Sequence, residues 1–144
     1  MREILFRGKR IDNGEWVEGF LLEQDNPEYH VYIVKAFKAE MDNRNMDILE
    51  CDMEEVDPST VGQYTGLTDK NGKRIFDGDI CRNTKTGEIV SVKWHGTMVG
   101  YVWSKPRNDN KCLYDFGELF RVYDKYEVIG NIHDNPELVK EAET

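Results

Sequence analysis

At 144 residues the chain is long enough for one compact domain or for two small ones sharing an interface. A net charge of −9, with 33% charged and 39% hydrophobic residues, excludes the compositions of collagen and of disordered chains and argues against duplex DNA as the main ligand. No apolar run approaches the roughly 20 residues that cross a bilayer, and no signal-peptide core follows Met1, so a cytosolic location with no membrane contact is expected.

The chain opens with a hairpin signal. Glu3 to Ile11 (EILFRGKRI) and Trp16 to Leu22 (WVEGFLL) are apolar-rich, and Asn13-Gly14 between them is a pair that favours a tight turn. Ile4, Phe6, Trp16 and Phe20 supply large side chains for a pleated, half-buried surface. After a polar loop around Pro27, His30 to Phe37 (HVYIVKAF) is β-branched and aromatic and predicts a third strand. Lys38 to Asn45 carries little pattern, reading as a loop or a helical turn at Ala39-Glu40-Met41. Met46 to Val56 is ambiguous: Ile48 and Leu49 are adjacent, and Glu50, Asp52, Glu54, Glu55 and Asp57 crowd behind them. That run lacks the central glycine and oxygen ladder of an EF-hand, and a solvated acidic edge strand explains it better.

Asp57-Pro58 breaks the pattern, and the charge balance changes there. Residues 1 to 62 hold 7 Lys+Arg against 15 Asp+Glu, whereas residues 63 to 132 hold 11 against 9. The step places a boundary near residue 60, giving an N-terminal β-hairpin and sheet subdomain over 1–60 and a second subdomain over 61–144.

Gln63 to Ile80 (QYTGLTDKNGKRIFDGDI) dictates more backbone geometry than any other stretch. Gly66, Gly72 and Gly78 recur every six residues, Asn71-Gly72 predicts a tight hairpin, and Gly78-Asp79 turns the chain into a strand that starts at Ile80. A turn at Thr86-Gly87 follows, then a strand from Ile89 to Trp94, where Val90, Val92 and Trp94 form the more apolar face. Further strands are expected at Met98 to Trp103, in short pieces around Gly117, and at Tyr126 to Ile132. Asn135-Pro136-Glu137 predicts a short C-terminal helix, with Asn135 as its cap. The fold class is therefore mostly β, an antiparallel N-terminal subdomain followed by a small barrel or strongly bent sheet.

Chemistry is not written in these residues. Cys51, Cys81 and Cys112 lie about thirty residues apart without a Cys-x-x-Cys pair, so they read as reduced packing residues, and no metal or cofactor is expected. Asp77 and Asp79 flank Gly78, and with Asp69 they come closest to the paired carboxylates of a metal-dependent hydrolase. Bonding of backbone N–H groups in turns accounts for them more simply. His133-Asp134 lacks any positioned nucleophile, and both the Gly-x-Ser-x-Gly and phosphate-loop spacings are absent.

Aromatics crowd the second half, among them Tyr64, Trp94, Tyr101, Trp103 and Tyr126. Lys70, Lys73, Arg74, Arg82 and Lys93 stand nearby, which makes a groove for single-stranded nucleic acid the alternative reading. Packing of those rings in a core and at a subunit contact is the simpler one.

With FRGKRIDNGEWVEGF, YTGLTDKNGKRIFDGDI and EVIGNIHDNPEL in view, the chain resembles the YopX-like proteins of bacteriophages and prophages almost end to end, most loosely over Gln24 to Glu55. The resemblance implies a mostly β protein with an SH3-like barrel in its second half, a phage or prophage origin and self-assembly into a homo-oligomer. It implies no catalytic residue and no cofactor. The expectation is a non-enzymatic module of the bacterial host cytosol that associates with itself or with a phage or host protein.

Overall fold

Strands make up nearly all of the regular structure. The computed structural model describes residues 3–95, 100–104, 112–114 and 125–141, and the chain divides into two units, Met1–Gln63 and Tyr64–Thr144.

In the first unit β1 (Phe6–Lys9), β2 (Trp16–Asp25), β3 (Tyr29–Met41) and β4 (Met46–Val56) form an antiparallel meander. A 3-10 turn, Pro58–Thr60, leads into β5 (Gly62–Thr68), whose first residues pair with β1 as Phe6↔Gln63 and Arg7↔Gly62. The order is β4-β3-β2-β1-β5, so β4 is an edge. One face of this sheet buries Val31, Ile33 and Val56 against Phe6, Val17, Leu21 and Val61. Period-two alternation sends those side chains to one side because Leu21 stands opposite Ile33 and Val31 opposite Val56.

The first turn has the four residues expected between the strands, shifted by one position. Arg10 N–H donates to Glu15 O at 2.8 Å and Gly14 N–H to Arg10 O at 3.0 Å, closing a four-residue loop in which Gly14 holds a φ of 73°. Asn83 and Glu88 enclose a loop of the same length, with Gly87 in the same place. Asn71-Gly72 likewise belongs to a three-residue loop, Lys70 to Gly72, fixed by Asp69 N–H to Lys73 O and Gly72 N–H to Asp69 O. A three-residue loop ending on a left-handed glycine fits strand twist as well as a two-residue turn does. Gly66 is not a corner between strands. It lies within β5 at φ 87°, where the register of β5 against its neighbour shifts between Tyr64 and Thr68.

In the second unit the later residues of β5 pair with β6 (Arg74–Phe76). A five-stranded antiparallel sheet follows, built from β7 (Asp79–Asn83), β8 (Ile89–His95), β9 (Gly100–Ser104), β10 (Cys112–Tyr114) and β11 (Tyr126–Asn131) in the order β10-β9-β8-β7-β11. Among the described residues this sheet is open and not a closed barrel. Its edge strand β10 has three residues, irregularly registered on β9, and offers no ladder to join β11. The core is Leu67, Ile75, Cys81, Val90, Val92 and Tyr126, with Val128 against it.

Gly78 is a pivot of this unit. Its N–H donates to Val92 O at 2.8 Å and its carbonyl accepts from Ile132 N–H at 2.9 Å. The six-residue helix α1 (Pro136–Glu141) ends the described chain and runs close to β8. Asn135 turns its Oδ1 back to Asn131 N–H, fixing the loop that precedes the helix. The strand expected at Met98 is described only from Gly100, and the pieces expected around Gly117 lie outside the described residues, apart from β10.

Candidate functional site

The residues read as a loop or helical turn, Lys38 to Asn45, and as an ambiguous stretch best explained by an acidic edge, Met46 to Val56, form the most unusual feature of the first unit. They complete a long hairpin of β3 and β4, turned at Asp42 to Asn45, and every residue from Lys35 to Met53 is exposed. Asp42 holds the turn: its Oδ1 accepts from Arg44 N–H at 2.9 Å and from Asn45 N–H at 2.8 Å. Those two bonds hold its carboxyl below the usual carboxylate range.

Two irregularities decide which way the hairpin's side chains point. Val34 pairs with Met53 and Ala36 with Asp52, so Lys35 is one extra residue on β3; Lys38 pairs with Glu50 and Ala39 with Ile48, so Leu49 is one extra residue on β4. A one-residue bulge reverses the facing of all that follows on its strand. Consequently the face that buries Val31, Ile33 and Val56 near the base becomes charged toward the tip, carrying the Lys38–Glu50 ion pair at 3.5 Å and the Glu40↔Asp47 pair.

The opposite face becomes apolar. Its cross-strand pairs are Phe37↔Cys51, Ala39↔Ile48 and Met41↔Met46. Nearer the base, Val34↔Met53 continues it, and Phe20 and Leu22 on β2, opposite Val34 and Tyr32, extend it to a third strand. Phe37 is 53% exposed, Met41 79% and Ile48 58%. The resulting apolar surface faces away from the unit's own core.

Charged groups border it. His30 Nδ1 lies 2.6 Å from Glu55 Oε1, and Nε2 is 3.5 Å from Glu28 Oε2. The hydrogen bond to Glu55, opposed by partial desolvation, raises the imidazole above its usual value. On the core-side face, where Glu54 stands opposite Ile33, Arg10 bridges Asp12 at 2.6 Å and Glu54 at 3.1 Å, and its bond to Asp12 holds that carboxyl low.

A family model described as YopX protein matches residues 5–140. The chain belongs to the YopX family. This YopX-family chain is similar to the crystal structure of protein EF1440 from Enterococcus faecalis, with 25% identity over 96% of this chain and 99% of that one and a TM-score of 0.63. No curated protein matches it.

The carboxylates of the YopX-family motif are engaged with backbone. Asp69 is buried, and its Oδ1 accepts from Asn71 N–H at 2.8 Å and Lys73 N–H at 2.9 Å while Oδ2 accepts from Val128 N–H at 2.9 Å. Asp79, also buried, accepts Phe76 N–H on Oδ2 at 2.7 Å, across the turn that Asp77 and Gly78 make. Among the described residues no three His, Cys, Asp or Glu side chains converge as metal ligands.

Lys70, Lys73 and Arg74 share one turn region, and Arg82 is paired with Glu127. The described rings near them, Tyr64, Phe76 and Tyr126, are buried in the core, Tyr64 and Phe76 with centroids 5.6 Å apart. Arg74 lies over Tyr64 at 5.8 Å from its centroid. The side chains of Trp94, Tyr101 and Trp103 lie outside the described residues. Of the cysteines, Cys81 is a core residue, whereas Cys51 is exposed on the apolar face and is not the packing residue its composition suggests. No helix among the described residues is long and apolar enough to cross a membrane.

Proposed function

We propose that this chain is a phage- or prophage-encoded accessory protein of the bacterial cytoplasm whose work is protein association, self-assembly first, and not catalysis. The observation that carries the reading is the apolar face of the β3–β4 hairpin, which points away from the core that its own unit provides. Soluble proteins seldom expose contiguous apolar patches beyond a few hundred Å2 unless they bind something there. YopX-family membership supports the phage or prophage origin. The engagement of Asp69 and Asp79 with backbone N–H groups supports a structural part for the motif carboxylates, and the reading calls for no cofactor.

The second unit is proposed as an SH3-like roll. In its support, four strands run in a meander, β7 to β10, and the fifth, β11, returns to pair with the first.

Sedimentation velocity over a range of micromolar concentrations tests the association. An assembled, concentration-dependent species is expected; a strictly monomeric one throughout contradicts the proposal.

A further inference from the structure

We infer that the apolar face of the β2–β3–β4 leaf docks on the same face of a second copy, the two leaves stacked about a two-fold axis that passes close to the Phe37↔Cys51 pair. The inference rests on the association reading above and adds its surface, partner and geometry.

The hairpin has the side-chain pattern of one leaf of a β-sandwich. One face is apolar through Phe37, Ile48, Met41 and Met46; the other is charged through Lys38, Glu50, Glu40 and Asp47. In a sandwich the apolar faces of two sheets pack about 10 Å apart and the charged faces meet water. Among the described residues of its own unit nothing supplies the second leaf, since all of Lys35 to Met53 is exposed.

Size favours a stable contact. Seven large side chains exposed on this face across β2, β3 and β4 present on the order of 700 Å2 of apolar surface, against the roughly 300–600 Å2 of a typical monomer's largest patch and the ~800 Å2 that each partner buries in a standard interface.

Charge selects the occupant. The pairs along the centre of the face, Val34↔Met53, Phe37↔Cys51, Ala39↔Ile48 and Met41↔Met46, contain no ionisable side chain besides the Cys51 thiol, so a basic or acidic partner finds nothing there to pair with. The surface matching it in outline and neutrality is its own copy, and isologous contact of one patch with itself is the commonest form of assembly. Edge-to-edge addition at β4 fares worse. It would align Asp47, Glu50, Asp52 and Glu54 with the same acids of another copy.

The position of the axis follows from the patch's extent. For a patch to cover itself, the two-fold axis must pass through its centre. Phe20 and Leu22 mark the base, Met41 and Met46 the tip, and Phe37↔Cys51 lies between them. Residues beside a two-fold axis meet their own counterparts, so Cys51 approaches Cys51.

Copper-phenanthroline oxidation of the full chain, with Cys51→Ser in parallel and sedimentation of Ile48→Glu, tests this. The expected result is a disulfide-linked dimer mapped to Cys51, lost in Cys51→Ser, together with an Ile48→Glu protein of unchanged far-UV spectrum that dissociates at concentrations at least tenfold higher than the parent. An assembly that yields no Cys51-linked dimer overturns the axis position. One that Ile48→Glu leaves intact overturns the face while the association reading survives. A parent chain that is monomeric throughout overturns both.

Discussion

Ile33 and Phe37 are four residues apart on the same strand and point to opposite faces of the sheet, one fully buried and the other 53% exposed. Strict alternation would put them on the same side. Lys35, the extra residue between Val34 and Ala36, reverses the facing, and from that reversal comes the outward apolar surface. Giving Lys35 a partner, by inserting one residue between Asp52 and Met53 on β4, removes the bulge and is expected to drive Phe37 toward the core face and the neighbouring acids of β4 toward the apolar one. Lower stability and loss of assembly are the expected outcome, read by thermal melting and sedimentation.

Asp69 ties the Lys70 to Gly72 loop to strand β11 through its two carboxylate oxygens. Asp69→Ala leaves three N–H groups without this acceptor and is expected to destabilise the protein by roughly 2–4 kcal/mol, measured as a shift in denaturant midpoint. Asp69→Asn retains an oxygen for the loop of Lys70 to Gly72 and loses the bond to Val128 N–H, so a loss of about half that size is expected.

Two glycines separate steric clash from backbone strain. A Cβ on Gly19 would stand 2.2 Å from Val34 O, which belongs to the paired strand and cannot move without disturbing the ladder. A Cβ on Gly72 meets nothing within 4 Å, though its φ of +81° is unfavourable for alanine. Gly72→Ala is expected to cost about 1 kcal/mol and Gly19→Ala about 3 kcal/mol or more, in the same denaturation assay.

The His30–Glu55 pair makes stability depend on pH in a defined direction. Because the folded-state imidazole is raised, its contribution is fully present below the usual imidazole value and is lost as pH rises through the raised one. Asp12 and Asp42, held low by Arg10 and by the backbone of Arg44 and Asn45, act in the opposite sense and lose their contribution as the solution is acidified through their lowered values. The melting temperature is expected to fall as pH rises above the usual imidazole value of about 6.5, and His30→Gln to flatten that limb.

Much of the second unit was legible because its turns are written in glycine and its strands obey a period of two. Val90 and Val92 alternate as expected and are buried, and Gly78 turns the chain where Gly78-Asp79 suggests. Loop boundaries were less legible. Asn71-Gly72 reads as the pair at the centre of a tight hairpin, but the bond from Asp69 to Lys73 closes a three-residue loop, and the four residues read between the first two strands, Asp12 to Glu15, are shifted by one to Ile11 to Gly14 by the bond from Arg10 to Glu15. The interaction face was hidden for a related reason. Leu49 is an extra residue on β4, so Met46 and Ile48 share a face with Cys51 and Met53 at a spacing that defeats simple alternation, and the acids between them look like noise. The signal that remains is Phe37, Ala39 and Met41 alternating with Lys38 and Glu40 ahead of the turn at Asp42. Phe20 misled in the other direction, since large size on a strand suggests burial and here faces outward.

Hydroxyl-radical footprinting of Met41, Met46 and Met53 across a dilution series tests the outward face most directly, because it reads the cover on those side chains and not merely particle size. The account predicts slow oxidation of all three at concentrations where the protein is assembled, and fast oxidation on dilution and in Ile48→Glu. Equal reactivity at every concentration, in a protein that is nonetheless assembled, would contradict it.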